Sequence, residues 1–478
     1  MAAGIRLGVP IVFWSQALGL ASYAGSLALT YSLAQRLAGS FVWGFVALLM
    51  LGTNYTFSAY ATGGLETSLH TLTVLLSLHL AYRAYAAMAP ALLAAFSVAA
   101  AAAVLTRLDS VLLISAPALA LLWRSLRLPD QTDRGRGIRR RRALALVLPG
   151  AAPLAAWFAW KAHYYGELLP LTFYAKQGAE VGVTVKQGFF FLFEYVKSYW
   201  MFPQVLLLLF FARALWQGEV TRWFALGCGL WWLYVVWFGG DFMEFRLMVV
   251  VLPAWVICLV SVLAREVGNR RARYAMTGAI VVLAIGGSWH HQVRFTYARG
   301  IESVANLQAH VSSQRWARVG EALHDAFRGH EDEVTVAVTA AGAIPFYAGV
   351  RVVDMLGLND TWIARHGLRV RTQPGHERTA PFAYLVRSGV NLVIAQPIVL
   401  PSDRYFDLSR GLDLRHFHIF DARPEDLPAS SRLIEIPIGE GYKVMAISLV
   451  PNARVDKAML EGGWRSIPLA SIAKVPRT

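Results

Sequence analysis

The chain has 478 residues, of which 56% are hydrophobic and 16% charged. A water-soluble chain of this length carries about a quarter charged residues, so the composition argues against a wholly soluble protein. The net charge of +15 has the magnitude of a nucleic-acid binder, but its placement excludes that reading: residues 1–290 hold 23 basic and 11 acidic side chains, residues 291–478 hold 22 and 19, and most of the excess sits in two short loops.

Apolar runs recur up to His290, most of them long enough to approach a bilayer's thickness. About ten spans are predicted, near 9–35, 41–59, 66–86, 90–106, 110–123, 143–160, 200–217, 221–238, 246–264 and 274–290. Between the fifth and sixth lies a loop, 124–142, with eight arginines; a second loop holds Arg265, Arg270, Arg271 and Arg273. Short arginine-rich loops of this kind remain in the cytoplasm. Counting spans outward from the first loop also leaves the second inside, which checks the count. The segments 60–66, 107–109, 161–199 and 239–246, and everything after 290, then fall outside. The same count puts the N-terminus outside, which predicts a further span and loop before Met1. The two cysteines, Cys228 and Cys258, lie in apolar spans and supply no disulfide framework.

Charge within a membrane domain is costly and marks function by default. In chain order, GGLET (63–67) puts Glu66 at the mouth of a helix, where the helix dipole alone would favour a carboxylate. RLD (107–109) places Arg107 and Asp109 between two short spans, as a neutralising pair or as a phosphate contact. YYGELLPLTFYAK (164–176) is broken by Gly166 and Pro170 and brings Tyr164, Tyr165, Glu167, Tyr174 and Lys176 to the same side. Tyrosines there form interfacial belts by default; they also stack on sugar rings. Residues 189–199 are predicted to lie as a short helix in the interface. GGDFMEFR (239–246) sets Asp241, Glu244 and Arg246 just outside a span, as a substrate clamp or a divalent-cation site. The convergence of these groups on one side predicts a polar cleft at the outer membrane surface. No nucleotide-binding glycine loop is present.

From Glu333 the pattern changes to strand, turn and helix. Strand-like runs are EVTVAV, RVVDM (351–355), NLVIAQP (391–397), HFHIF (416–420), LIEIPI (433–438) and YKVMAISLV (442–450), with helices near 303–328 and 379–388. This predicts a soluble α/β or α+β domain with one central sheet over residues 291–478, following a membrane domain over 1–290. Asp354, Asn359 and Asp360 follow a strand end, either as a turn-forming polar cluster or as a ligand site of the kind α/β folds place there; His376 and Glu377 lie in a later loop.

GGLET, RLD, YYGELLP…FYAK, GGDF and the tail's AGAIPFYAG…VVDMLGLND…GHE, in this order, resemble the bacterial GT-C-type membrane glycosyltransferases, most closely the mycobacterial terminal arabinofuranosyltransferase family. The resemblance covers residues 10–450. It implies an enzyme of the EC 2.4 class in the bacterial inner membrane, with its C-terminal domain outside the cytoplasm, acting in cell-wall biogenesis. Its donor would be a polyprenyl-phosphate-linked sugar, a pentofuranose such as arabinofuranose, entering from the bilayer; its acceptor would be a cell-envelope glycan held partly by the tail. On this reading Glu66, Asp109 and Asp241 are the catalytic carboxylates. Arg107, Lys176 and Arg246 meet the donor phosphate. Tyr164, Tyr165, Glu167, Tyr174, Glu244, Asp354, Asn359, Asp360 and His376 bind sugar or acceptor. No nucleotide cofactor is expected; Asp241 and Glu244 are candidate ligands for a divalent metal. Enzymes of this type carry an acidic motif in the first exterior loop, yet no Asp or Glu precedes Glu66. That departure matches the expected missing first span and leaves, as alternatives, a degenerate glycan-binding or scaffold relative and, more remotely, a transporter.

Overall fold

A computed structural model describes residues 2–127, 134–175, 181–370, 377–409 and 411–472. The chain divides into two compact units, Met1–Leu168 with Val181–Ser303, and Leu169–Glu180 with Val304–Thr478. The first is helical; the second is built on a sheet. The division departs from the predicted break at residue 290, because the last helix of the first unit continues to Arg294 and is followed by a hairpin. It also assigns Leu169–Glu180 to the second unit.

In chain order the helices are α1 (Ala2–Arg6), α2 (Ile11–Ala38), α3 (Phe41–Gly52), α4 (Tyr55–Ala59), α5 (Thr67–Ala87), α6 (Pro90–Thr106), α7 (Val111–Arg127), α8 (Arg134–Tyr165), α9 (Leu171–Ala175), α10 (Val181–Ser198), α11 (Phe202–Phe210), α12 (Ala212–Gln217), α13 (Glu219–Phe238), α14 (Arg246–Val249), α15 (Leu252–Glu266) and α16 (Arg270–Arg294). The hairpin β1 (Tyr297–Ala298) and β2 (Ile301–Glu302) closes the first unit. α15 is its central helix, buried from Leu252 to Leu263. By contrast, Phe13, Leu119, Leu206, Leu209, Phe210, Leu233, Trp237, Val282 and Trp289 project from the unit's surface.

Among the described residues, two stretches are long and apolar enough to cross a membrane, Leu108–Arg127 and Gly137–Tyr165; Phe41–Gly52 and Pro90–Thr106 are shorter apolar helices. The ten predicted spans are therefore too many by this measure. Several of the apolar runs are interrupted. The run 41–59 breaks at Thr53–Asn54, where the Asn54 side chain caps α4 by accepting from Phe57 N. The run 200–217 splits at Phe211, and that at 246–264 splits into α14 and α15 ahead of Pro253. α5 carries two histidines and a series of Ser and Thr residues, which dilute its apolarity. Residues 134–142, predicted as loop, begin α8, and residues 189–199 lie within a longer helix, α10.

In the second unit α9 packs against α20 (Thr361–His366). The remaining elements are α17 (Val304–Ser313), α18 (Trp316–Phe327), β3 (Thr335–Val338), α19 (Ala343–Ala348), β4 (Arg351–Asp354), β5 (Leu368–Arg369), β6 (Arg378–Thr379), α21 (Phe382–Arg387), β7 (Leu392–Ala395), β8 (Val399–Pro401), β9 (Arg432–Gly439), β10 (Tyr442–Ser448), α22 (Ala453–Glu461) and β11 (Arg465–Pro468). The sheet order is β11-β9-β10-β7-β3-β4, with β8 beside β10; β3 runs parallel to β4 and β7, and the other pairs are antiparallel. Alternation along the strands sends side chains to opposite faces. Val336, Val338, Leu392, Ile394, Ile434, Ile436, Val444 and Ala446 join Leu323, Phe327 and Ile344 on one face. Ala337, Val393, Ala395, Leu433, Met445 and Ile447 join Ile363, Leu385 and Phe417 on the other. A sheet covered on both faces is the predicted α/β domain. One predicted strand is absent: HFHIF forms a 3₁₀ turn at Leu414–Phe417, started by Asp413 accepting from Arg415 N and ended by His418 in the left-handed region.

Candidate functional site

Three segments far apart in sequence meet in the first unit. Gly64, at φ +71°, turns the chain so that Glu66 stands at the N-cap of α5, just before Thr67. At Arg107 the backbone becomes extended and ends α6, and Leu108–Ser110 forms a 3₁₀ turn. The Arg107 guanidinium joins the two segments: Nη1 donates to Glu66 Oε1 at 2.8 Å, Nε to Asp109 Oδ1 at 3.1 Å and Nη2 to Asp109 Oδ2 at 2.6 Å. Tyr234, from α13, donates its hydroxyl to Asp109 Oδ2 at 3.2 Å. Beneath them His70 Nε2 meets Ser110 Oγ at 2.7 Å, and that hydroxyl donates to Ala103 O, which ties the turn to α5 and α6. The predicted pairing of Arg107 with Asp109 is thus present, with Glu66 as a third member.

The GGDFMEFR turn follows α13 through Gly239 and Gly240, both at positive φ. A Cβ on Gly240 would lie 2.6 Å from the Phe191 ring, so no other residue fits there. Arg246 Nε donates to Asp241 Oδ2 at 2.8 Å, and the side chain of Asp241 is 2% exposed. Arg246 lies within electrostatic reach of Glu66 and Arg107, which makes the two ion-pair groups one cluster. Phe245, also at positive φ and fully buried, separates Arg246 from Glu244. A bulky residue held in that conformation stores strain, which is characteristic of functional sites.

Glu244 faces a different set of partners. Its Oε1 accepts from Thr56 Oγ1 at 2.9 Å and meets His291 Nε2 at 2.8 Å; Thr56 in turn bonds to the Tyr199 hydroxyl, and Tyr60 donates to the Glu244 carbonyl. Glu244 and His291 are almost wholly buried. Asp241 and Glu244 are therefore turned to different partners, and among the described residues no three His, Cys, Asp or Glu side chains group to hold a metal.

Tyr164 and Tyr165 are exposed and pack edge to face at 4.7 Å, with Tyr164 stacked on Trp160. Lys161 donates to the Leu168 carbonyl at 3.0 Å, and Glu167 follows in the same turn. Tyr174 belongs to the second unit, where the Arg365 guanidinium lies 4.8 Å above its ring. Lys176 and His376 lie outside the described residues. Also in the second unit, Asp354 accepts from Leu356 N and Asn359 N, and burial holds its carboxyl above the ordinary range despite those bonds. Asp360 caps α20 and accepts the Tyr384 hydroxyl at 2.9 Å, while Tyr384 stacks on Trp362. The polar cluster after β4 is therefore built into its own turn, as its turn-forming residues also suggested.

Several members were not singled out from sequence: Tyr234, Tyr60, Thr56, Tyr199 and His291. Only His291 carried a signal, since a histidine at the end of an apolar run needs a polar partner. Residues 304–446 match a family described as a domain of unknown function (DUF8728). No curated protein and no solved structure matches the chain.

Proposed function

We propose that the first unit is a bilayer-embedded glycosyltransferase domain using a polyprenyl-phosphate-linked sugar, with an extracytoplasmic cell-envelope glycan as acceptor. The observation that carries this reading is the meeting of Glu66, Arg107, Asp109, Tyr234, Asp241 and Arg246 from three separate segments. A bilayer setting is favoured by the large apolar side chains on the surface of this helical unit, too many for a surface in water. The finer reading, a GT-C-like domain of about ten spans in a bacterial inner membrane, rests on the arginine-loop pattern and the motif order. A sugar of the arabinofuranose type rests on the motif order alone.

Within the cluster, Glu66 is the carboxylate suited to act as base. Its side chain is 37% exposed against 10% for Asp109. Asp109 has both oxygens engaged by Arg107, so it orients the guanidinium and does not accept the acceptor's proton. A positioned base contributes about 10²–10⁴-fold, and a fixed carboxylate also favours an oxocarbenium-like transition state. The second reading, a non-catalytic relative, is favoured by one observation: Arg107 and Arg246 are both already neutralised by carboxylates.

The test is sugar transfer from a polyprenyl-phosphate donor in membranes containing the full chain or its Glu66→Gln, Asp109→Ala, Asp241→Ala and Arg246→Ala variants. Glu66→Gln is expected to lower the rate by about 10²-fold or more. Normal rates in all four variants would overturn the assignment of the cluster. Absence of transfer by the unaltered chain would favour the non-catalytic reading.

A further inference from the structure

The chain passes from the first unit to the second through α16, the hairpin β1–β2 and Ser303, and Val304 opens the second unit. This connector is not a free tether. Ile301, Glu302, Ser303 and Val304 are all buried, and buried backbone groups need partners. Glu302 finds them in the GGDFMEFR turn. Its N–H donates to Phe242 O at 2.8 Å, and its carbonyl accepts from Glu244 N at 2.9 Å, so that Met243 and Glu302 pair as a parallel bridge. Within the hairpin, Ser303 N donates to Thr296 O at 2.9 Å.

Both bonds of Glu302 lead on to charged groups. Phe242 N donates to Asp241 Oδ1 at 2.9 Å, and Asp241 Oδ2 holds Arg246. Phe242 therefore carries the Asp241 carboxylate on its N–H and Glu302 on its carbonyl. On the other arm, the residue whose amide meets the Glu302 carbonyl is Glu244, and its side chain holds Thr56 and His291. One residue of the connector thus fixes both arms of the turn.

The connector is itself anchored. Arg299, at the hairpin tip with φ +44°, accepts Gln187 Nε2 on its carbonyl at 2.9 Å, and its guanidinium lies 4.7 Å from the centroid of the Phe190 ring. Helix α10 therefore supplies Gln187 and Phe190 to the hairpin and Phe191 to Gly240 of the turn. Phe295, between α16 and β1, packs its ring 5.3 Å from that of Phe245. Phe245 is the strained residue of the turn, and such a conformation persists only where its surroundings impose it.

We infer that Glu302 is a positioning residue for the Asp241–Arg246 pair, and that β2 is the route by which the second unit acts on that pair. A displacement at Val304 reaches Phe242 and Glu244 through two backbone bonds and no flexible side chain. The turn is the element that both ends bias, which is the physical requirement for coupling between distant parts of a chain. The inference deepens the reading above by naming what sets the arginine and the aspartate, and it holds whether or not the cluster transfers a sugar.

The test is hydrogen exchange of the full chain in phosphatidylcholine nanodiscs, read by mass spectrometry on the peptide covering residues 239–247, with peptides of α6 as the reference. Glu302→Pro deletes the donor to Phe242 O. Exchange in the turn should rise about tenfold, the loss of one buried hydrogen bond, with α6 unchanged. Glu302→Gln keeps both backbone groups and should exchange like the unaltered chain. Inserting Gly-Ser-Gly between Ser303 and Val304 frees β2 from the second unit and should raise exchange in the turn about threefold, the low end of the range for one bond. The same insertion between Asp403 and Arg404, both exposed, should leave the turn unchanged. An unchanged turn in Glu302→Pro, an equal rise in Glu302→Gln, or no effect of the insertion at Val304 would overturn the inference. So would an α6 signal that rises with the turn, because the effect would then be general destabilisation. Should Glu302→Pro fail to fold, the two insertions decide. None of these readings needs a sugar donor, so a negative result leaves the proposed function standing.

Discussion

Replacing Arg107 by alanine removes three hydrogen bonds, two to Asp109 and one to Glu66, and leaves two carboxylates without their hydrogen-bonded cation. Breaking a fully buried ion pair by deleting one partner costs about 3–5 kcal/mol. Here the side chains of Arg107, Asp109 and Glu66 are 24%, 10% and 37% exposed, and water offsets part of the loss. About 2–4 kcal/mol is the expected destabilisation once solvent screening is allowed for. Asp109→Asn alone should cost about 1–3 kcal/mol, the cost of a compromised partner for a buried charge. Because the two side chains share one fork, the double variant should lose less than the sum, with a coupling of about 1–3 kcal/mol. The assay is unfolding of the full chain in mild detergent by SDS titration, followed by far-ultraviolet circular dichroism. An Arg107→Ala variant within about 0.5 kcal/mol of the unaltered chain, or strict additivity in the double variant, would refute the claim that this guanidinium ties the segments together.

Three further outcomes follow from other parts of the molecule. Gly287→Ala, whose added Cβ would meet the Tyr199 carbonyl oxygen at 2.4 Å, should destabilise by about 1–3 kcal/mol through overpacking against backbone, whereas Gly278→Ala, in the same helix with nothing near its added methyl, should stabilise by about 0.5–1 kcal/mol; the same titration reads both, and equal effects would contradict the close approach of Tyr199. In the sheet, Lys443 and Glu435 form a 2.8 Å pair with both side chains 7% exposed, so Lys443→Met alone should cost about 3–5 kcal/mol and the Lys443→Met, Glu435→Leu double variant little, as compared in thermal melts of the full chain. The Glu333 carboxyl is held down to about 2, against an ordinary 4.5, by Arg454 and then His330. A depressed carboxylate stabilises the fold above its unfolded value, and that contribution is lost as the pH falls from about 4.5 to about 2; Glu333→Gln should flatten that part of the acid-unfolding curve, and identical curves would count against the pairing.

The second unit was the more legible of the two. Its strands are short runs of β-branched and aliphatic residues between Gly, Pro and Asn, and five of them fall where period and composition put them. HFHIF was misread because its apolar residues alternate like a strand, while Asp413 before it offers a side-chain acceptor that starts a turn. β8 and β11 escaped because three or four residues carry too little pattern. In the first unit the error was the opposite one. The apolar runs read as whole spans, although new helices begin inside them at Asn54, Phe211 and Pro253. Composition over a window records apolarity but not a cap or a proline within it.

The site was legible to the extent that its members carry charge. Arg107, Asp109, Asp241 and Arg246 stand out in apolar surroundings, and cost alone marks them. Tyr234, Tyr199 and Thr56 do not, because a hydroxyl in an apolar helix is common and its partner lies more than a hundred residues away. A guanidinium that already bridges two carboxylates, as Arg107 does, has to release one before it can take a phosphate, and that release leaves a partly buried carboxylate unpaired. The geometry of Arg107 and Arg246 therefore suits them to fix Glu66, Asp109 and Asp241 in place.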